Sequence, residues 1–386
     1  MLALKLAYKN LIGAGLRTWL NVSVLSFAFV LIIFYNGMID GWNRQGRNDT
    51  QEWEVAKGQF WHPQYDRLDV YSINDAHQPL GPEVLPLVRQ GLVMPMLIQQ
   101  VSLYPQGRMQ GALLKGIPTD QKVLAIPSDA LQYERDAISV IIGKRMAEST
   151  QLKVGDECLM RWRDKNGMFD AQKVRVAAIF KCDVPSVDNA QVYMSYERMQ
   201  TLMGYQNEAS ILVSANENLV ELKGWQYKDL NFLLSELDQL IESKKGGGIV
   251  LQTVLLLIAL LTIFDTQVLS IFRRQKEIGT YIALGLTRRR VVAIFTVEGG
   301  AHSILAALLG AVYGIPLFLW INKVGLSFGS VDVGITMAET IYPYYSIGLI
   351  VSTIILVIVS ATIVSYIPAR KIARMKPTEA LKGKIQ

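Results

Sequence analysis

The sequence predicts a membrane protein with four transmembrane α-helices and a large α+β extracytoplasmic domain between the first and second helices. Hydrophobic residues make up 51% and charged residues 19% of the 386-residue chain, which is too apolar for an ordinary soluble protein. The apolar residues are concentrated in four stretches, each with the roughly 20 residues needed to cross a bilayer. The mixed polar middle of about 200 residues is large enough for its own core.

The four stretches divide the chain into ten segments. The transmembrane spans are predicted at 18–41, 248–271, 291–321 and 344–367. The remaining segments are, in order, an interfacial helix at 1–17, a core domain at 42–229, a stalk helix at 230–247, a basic loop at 272–290, a short loop at 322–343 and a tail at 368–386. The first span could instead be a cleaved signal peptide, but no pair of small residues in cleavage spacing follows it, which favours an uncleaved anchor.

The charges predict the topology. Three segments (1–17, 272–290 and 367–386) together carry fifteen Lys and Arg and two Glu, whereas the whole chain has a net charge of only +6. Lys and Arg accumulate on the cytoplasmic side of membrane proteins, so both termini and the 272–290 loop are expected in the cytoplasm. The excess of Lys and Arg thus indicates the orientation of the chain in the membrane, and no nucleic-acid partner is needed to explain it.

The middle of the chain alternates between strand-like and helix-like pieces. Segments 67–73 and 174–180 are predicted strands by their alternation, whereas 78–82 and 115–118 are predicted turns. Leucines at helical spacing from Leu230 to Ile241 predict the stalk helix. The glycines at 246–248 that follow could form a hinge or a helix end.

The ionisable and nucleophilic residues offer few catalytic candidates. No Gly-rich phosphate loop ending in Lys-Ser/Thr is present, the three histidines have no metal-like spacing, and no Ser–His–acid order stands out, so neither an enzyme active site nor a metal site is expected. Cys158 and Cys182 both lie in the external domain, where a disulfide is permitted; two free buried thiols are the favoured alternative.

Three ionisable residues fall inside predicted spans, namely Asp265, Glu298 and His302. The two carboxylates lie at similar depth on consecutive helices, and His302 follows Glu298 by one helical turn. They could form a proton relay, but a polar cluster that fixes helix packing is the preferred interpretation. Gly310 and Gly314 form a small-xxx-small pattern that lets helices approach closely.

The 273–299 region combines a basic pair, Lys-Glu-Ile-Gly, Ala-Leu-Gly, a basic triplet and Glu298-Gly299. This order resembles the loop between spans two and three in the FtsX/MacB family of ABC transporter permeases. The tail at 366–381 and several positions in the first 20 residues and the external domain are similar to the family's patterns as well. The resemblance covers most of the chain and is to the lipoprotein-releasing LolC/LolE type, whose members lack a fused ATPase.

The resemblance implies a function and a set of partners. Residues 272–290 would be a coupling helix that contacts a separate cytoplasmic ABC ATPase dimer through Lys276, Glu277, Ile278, Gly279, Ile282, Leu284, Gly285 and Arg288. The chain would bind no cofactor, since ATP and Mg²⁺ would be held by that ATPase. It would sit in a bacterial inner membrane among lipids, pair with a second permease subunit in a homo- or heterodimer, and meet a periplasmic carrier or adaptor.

Three functions are compatible with this resemblance. Lipoprotein extraction from the inner membrane is placed first, a MacB-like tripartite efflux permease second, and an FtsX-like regulator of cell-wall hydrolases a distant third. One feature departs from the LolC pattern: the connector at 164–170 is a short turn-like loop, where LolC has an extended hook for its carrier.

Overall fold

The structure is a computed structural model that describes residues 15–132, 138–217, 221–327 and 340–373. The predicted interfacial helix, the short loop and the tail therefore lie largely outside the described residues. Within these ranges the helices are α1 Leu16–Thr50, α2 Val70–Ile73, α3 Val84–Arg89, α4 Lys144–Thr150, α5 Pro185–Asp188, α6 Tyr196–Met203, α7 Leu230–Leu233, α8 Ser235–Arg273, α9 Gln275–Ala283, α10 Arg288–Val324 and α11 Ile347–Ala373. A π-helical turn, Gln51–Val55, follows α1.

Most strands of the described ranges are short, but two of the strands are twelve residues long each. They are β1 Gln59–Trp61, β2 Gln78–Pro79, β3 Val93–Tyr104, β4 Gln110–Ile117, β5 Ile138–Gly143, β6 Glu157–Arg163, β7 Phe169–Phe180, β8 Gln191–Ser195, β9 Glu208–Ala209, β10 Ile211–Ser214, β11 Gln226–Lys228, β12 Leu326–Ser327 and β13 Thr340–Ile341. Short 3₁₀ turns lie at Pro105–Gly107 and Ser128–Gln132.

The described residues form two compact units. A helical unit comprises 15–43, 240–327 and 340–373, and a mixed unit comprises 44–132, 138–217 and 221–239. Four of the described helices, α1, α8, α10 and α11, are long and apolar enough to cross a membrane, at the four places where the sequence predicts spans. The chain therefore has the character of a membrane protein with a large domain between its first and second spans.

The mixed unit is built around a nine-stranded sheet with the order β11-β1-β10-β3-β4-β8-β5-β7-β6. Because β6 also pairs with β3, six of these strands close into a ring. The β4–β8 and β5–β7 pairs are parallel and the others are antiparallel. Every strand of the ring contributes to one apolar core, in which Trp162 is almost completely buried and to which α4 and α6 add methionines.

Two local predictions in this unit are wrong. Segment 67–73 ends in the short helix α2, because the carboxylate of Asp69 accepts the backbone N–H of Tyr71 and caps it. The turn predicted at 115–118 begins three residues too early, since Lys115 and Gly116 pair with both β3 and β8, and Ile117 pairs with β8. The strand predicted at 174–180 is confirmed as the second half of β7.

The stalk prediction also needs correction. Segment 230–247 is not one helix, because α7 ends at Leu233 and α8 starts at Ser235. The glycines at 246–248 are not a helix end, since α8 runs through them without interruption, and the alternative of a hinge stays a prediction. Gly248 is required by packing, because a Cβ there would collide with the ring of Tyr35 on α1.

Polar contacts join α1 and α8 along the helical unit. Asn21 donates a hydrogen bond to the Thr266 hydroxyl (2.7 Å), and Asn36 donates one to the side-chain Oε1 of Gln252 (3.2 Å). Asp40 forms an ion pair of 3.0 Å with Lys245. Residue numbers rise along α1 as they fall along α8, so the two helices are antiparallel and their levels can be matched.

Candidate functional site

The connection between α8 and α10 is a second helix joined to the first by a single residue. Arg274 follows the last residue of α8 and has φ −99° and ψ 14°, which interrupts the helix before α9 begins at Gln275. At its other end, Gly285 adopts φ +91°, a conformation that favours glycine. The Leu286 N–H donates to the Tyr281 carbonyl (3.0 Å), closing the helix in a Schellman-type turn.

Arg274 fastens α9 to α10. Its Nε donates to Glu277 on α9 (3.0 Å) and its Nη1 to Glu298 on α10 (3.4 Å). The guanidinium carbon also lies 5.6 Å from the ring centroid of Phe295. The Glu298 side chain is only 5% exposed, so this carboxylate is held inside the helical unit by a charged partner. One arginine thus couples the short helix to the helix that follows it.

The inner face of α9 is apolar and buried. Ile278 is 2% exposed and packs in a cluster with Ile271, Val291, Phe295 and Ala369, to which Ile282 adds a half-buried side chain. Gly279 is buried as well. The prediction that Ile278 offers apolar contact to a partner is therefore wrong, because its side chain is buried inside this chain. Ile282 is only half-buried, and its contact with a partner stays a prediction.

The outer face of α9 and the turn after it are exposed. Lys276 and Glu277 lie on the exposed side, and Leu284 is 76% exposed at the end of the helix. Gly285 is exposed, and so is Arg288 at the start of α10. This outer surface, defined by Lys276, Glu277, Leu284, Gly285 and Arg288, presents one large apolar side chain within a rim of charge.

The predicted intramembrane cluster is only partly assembled. His302 is buried, and its Nδ1 lies 2.7 Å from the Glu298 carbonyl oxygen one turn earlier on α10. Glu298 itself pairs with Arg274, as described above. Asp265 is exposed on α8, and the structure records no hydrogen bond or ion pair for it within the described residues. The structure does not bring Asp265 and Glu298 together.

The predicted helix-packing glycines lie against α1. A Cβ on Gly310 would lie 3.3 Å from the hydroxyl of Ser26, and one on Gly314 would lie 3.1 Å from the Val30 side chain. Sequence reasoning missed a tighter contact at Gly299, where a Cβ would collide with the Ser365 side chain on α11. The Glu298-Gly299 pattern carries no sign of this packing, because Ser365 lies on a separate helix.

The cysteines of the mixed unit are free and buried. Cys158 belongs to the core of the closed ring, whereas Cys182 belongs to a different core cluster. Burial raises the pKa of Cys158 to about 11 and that of Cys182 to about 12. The possible disulfide is therefore not formed, and the alternative of two buried thiols is correct.

The connector between β6 and β7 is a compact turn of five residues. Asp164 organises it, because its carboxylate accepts the backbone N–H groups of Asn166 (2.9 Å) and Met168 (2.8 Å). Met168 and Phe169 at its end are exposed, and Arg161 stacks on the Phe169 ring at 4.1 Å. The structure thus contains no extended hook at this place.

Arg274 belongs to this candidate site but is absent from the residues predicted from the sequence. The sequence signal was available, since Glu277 follows it at the i, i+3 spacing that allows an ion pair on one helix face. Its second partner, Glu298, is 24 residues away and could not be assigned without the fold. No group of His, Cys, Asp and Glu with metal-binding geometry occurs in the part of the chain that the structure describes.

Comparison with known proteins bears on the helical unit most directly. The FtsX-like permease C-terminal family matches residues 249–377. An uncharacterised ABC transporter permease of Methanocaldococcus jannaschii is 26% identical over 270 residues, or 65% of this chain and 63% of that relative. The lipoprotein-releasing system transmembrane protein LolC of Neisseria meningitidis is 20% identical over 333 residues, covering 76% of this chain and 79% of LolC.

Further similarity is found to efflux proteins. The macrolide export ATP-binding/permease protein MacB of Acinetobacter baylyi is 24% identical over 213 residues, covering 51% of this chain and 30% of MacB. The periplasmic region of MacB from Actinobacillus actinomycetemcomitans aligns with a TM-score of 0.32 and 11% identity, over 48% of this chain and 94% of that structure. The domain matched over 249–377 and the permeases matched over half or more of the chain confirm the resemblance seen in the sequence: this chain carries an FtsX-like permease domain, and its relatives are ABC transporter permeases that include LolC and MacB.

Proposed function

We propose that this chain is the permease subunit of a mechanotransmitting ABC transporter and that the outer surface of α9 receives a separate cytoplasmic ATPase dimer. The observation that carries the proposal is the division of α9 into two faces. Ile278 anchors the inner face in the chain's own core, while Leu284 is left 76% exposed on a surface that also exposes Lys276 and Arg288. An exposed apolar anchor within a charged rim is the usual anatomy of a protein–protein contact.

The attachment of α9 supports transmission of force. Arg274 ties it to α10 through Glu298, and the apolar cluster around Ile278 ties it to α8 and α11. A push on α9 therefore acts on three long helices at once. One of them, α8, continues for 39 residues without a break through its glycine triplet, as a rigid transmitting element requires.

The charge distribution supports the orientation in this proposal. The connection that holds α9 carries six Lys and Arg between 272 and 290, and the positive-inside rule supports a cytoplasmic location for it in this proposal. The mixed unit would then lie on the opposite side of a bacterial inner membrane. ATP and Mg²⁺ would be bound by the partner ATPase, and a second permease subunit and a periplasmic carrier or adaptor would complete the assembly.

Lipoprotein release from the inner membrane is the first candidate for the process that the transporter drives on the non-cytoplasmic side of the membrane. The similarity to LolC extends over 76% of this chain and includes both units. A MacB-like role in efflux is the second candidate. It is favoured by the compact Asp164 turn, because this turn offers no extended segment that could bind a periplasmic carrier. An FtsX-like regulator of cell-wall hydrolases remains third, because such proteins usually carry a smaller external domain.

The substrate can be tested by depleting this chain in its source organism and fractionating the membranes. Lipoprotein release predicts that mature lipoproteins accumulate in the inner membrane within a few generations, while sensitivity to exported drugs is unchanged. Re-expression of the wild-type chain should restore lipoprotein sorting. Normal sorting together with greater drug or peptide sensitivity would replace lipoprotein release by the efflux alternative.

A further inference from the structure

One lysine of the mixed unit is buried on the apolar side of its sheet. Lys115 on β4 is 7% exposed and lies between Ile98 of β3 and Tyr193 of β8, which both belong to an apolar core cluster. Its Nζ lies 5.8 Å from the centroid of the Tyr193 ring, and within the described residues the structure records no hydrogen bond or ion pair for it. Lysines are almost never buried without a partner, so this one calls for a physical reason.

The acidic group that acts on Lys115 is Glu54. Burial lowers the pKa of Lys115, while the Glu54 carboxylate favours the charged amine and Arg67 opposes it. The Glu54 Oε2 accepts a hydrogen bond from the Ser186 hydroxyl (2.7 Å). Hydrogen bonds between two charged groups are stronger than those to a neutral hydroxyl. Glu54 thus binds the weaker of two partners that the same unit offers.

Aromatic side chains connect the segment of Glu54 to Lys115. Trp53 stacks on Phe180 with the ring centroids 5.6 Å and the planes 14° apart. The Phe180 ring meets Tyr193 edge-on at 5.9 Å, and Tyr193 in turn faces the Lys115 Nζ. A movement of the segment that carries Trp53 and Glu54 therefore reaches Lys115 through direct contacts.

The backbone that carries Glu54 is irregular and strained. Glu54 lies in the π-helical turn Gln51–Val55, and the Ala56 N–H donates to the Gln51 carbonyl (2.8 Å) across one residue more than in an α-helix. Ala56 has φ +50° and ψ −121°, a region that residues other than glycine rarely adopt. Single π turns and strained residues recur at functional sites, where the backbone has a second arrangement. A return to α-helical hydrogen bonding would turn the Glu54 side chain about the helix axis.

We propose that Lys115 is the second partner of Glu54, and that the mixed unit has another arrangement in which the π turn rotates and the Glu54 carboxylate leaves Ser186 to pair with the Lys115 ammonium. This goes beyond the proposed function, because it concerns the mixed unit alone and needs no ATPase. The π turn directly follows α1, so the pairing would give the first long helix a means to act on the sheet. Lys115 is then a positioning residue that acts through Glu54.

Hydrogen exchange of the full-length chain in detergent, followed by mass spectrometry, tests the second pairing. The Ala125 N–H donates to the Glu52 carbonyl of the π turn (3.0 Å), so its exchange reports on the turn. Ser186→Ala removes the present partner of Glu54 and should speed this exchange by about threefold to about tenfold, the shift for one lost hydrogen bond. In a Lys115→Met background the same substitution should have little effect. Lys115→Arg keeps the charge and should restore the effect of Ser186→Ala.

A matched control is Ser149→Ala, which removes a hydroxyl that donates to the Met146 carbonyl (3.0 Å) on α4. It should leave exchange at Ala125 unchanged in every background. Equal acceleration by Ser186→Ala with Lys115 or with Met at this position would overturn the proposal, because the two sites would then be independent.

Thermal unfolding of the single variant gives a second test. Lys115→Met should keep or raise the Tm, because it replaces an amine without a hydrogen-bond partner by an apolar chain of similar length. A lower Tm would show that Lys115 already stabilises the present arrangement, which would contradict the proposal. No readout involves an ATPase, so a failure of either test leaves the proposed function standing, and failed ATP coupling leaves this inference standing.

Discussion

A pair of truncations on α9 separates the two roles assigned to its faces. Ile278→Ala removes a side chain that is 2% exposed and packed among Ile271, Val291 and Phe295. Truncation of a buried isoleucine to alanine costs about 2–5 kcal/mol because a cavity is left behind. Leu284→Ala removes a side chain that is 76% exposed, and such changes usually alter the stability of the free protein by about 0.5 kcal/mol or less.

The order of the two effects should be reversed for binding of the ATPase, where Leu284→Ala should have the larger effect. If Leu284 is the apolar anchor for the ATPase, its truncation should cost about 2 kcal/mol of binding, or roughly a thirty-fold loss of affinity. Ile278→Ala should lower the affinity for the ATPase only to the extent that it destabilises the packing of α9. A bulky residue at Gly285 would be a poor probe of the interface, because φ +91° strains any side chain there.

Two assays on the purified full-length chain decide the matter. Thermal unfolding in detergent should show a lower Tm for Ile278→Ala and an unchanged Tm for Leu284→Ala. Binding to the purified ATPase, followed with its stimulated ATP hydrolysis, should show a large defect for Leu284→Ala. A wild-type affinity for the Leu284 variant, or an unchanged Tm for the Ile278 variant, would refute the division of α9 into a packed face and a contact face.

Three further predictions follow from packing, topology and burial. Gly299→Ala should lower the Tm, since overpacking typically costs about 1–3 kcal/mol, whereas Gly247→Ala, whose Cβ meets nothing within 4 Å, should not. With the native cysteines replaced, Asn166→Cys should react with an impermeant thiol reagent from outside the inner membrane and Thr287→Cys should not; the reverse would invert the topology. Burial raises the pKa of the native Cys182 thiol to about 12, so this thiol should react with thiol reagents only on unfolding. Its contribution to the free energy of unfolding should fall as the pH rises above about 8.5, the pKa of the thiol in the unfolded chain. Measuring the free energy of unfolding as a function of pH checks this.

The spans could be predicted from the sequence because hydrophobic length is a local property. All four candidate helices occur where the apolar stretches are, although α1 and α8 extend well beyond the predicted ends. The extension of α8 through its glycine triplet was not predictable from propensity. Gly248 is there because Tyr35 of α1 occupies the space a side chain would need, and that is a tertiary constraint.

The sequence predicted where the candidate site lies in the chain, but not which of its side chains are buried and which are exposed. The basic run located α9, and the exposed Leu284 and Arg288 agree with a contact surface. Helical periodicity could have placed Ile278 on the inner face, but only with knowledge of which side α10 covers. The link from Arg274 to Glu298 depends on the turn at 284–287 that folds α10 back, so no local pattern could reveal it.

The central claim, that the outer surface of α9 receives an ABC ATPase, is tested most directly by site-specific cross-linking in cells. A photo-reactive amino acid is placed at Leu284, and at Met168 as an equally accessible control in the mixed unit, where the side chain is 67% exposed. The covalent products are then identified by mass spectrometry. We expect an ABC ATPase subunit among the products from Leu284 and none from Met168. Products from Leu284 without any ATPase, with the chain correctly inserted in the membrane, would contradict it.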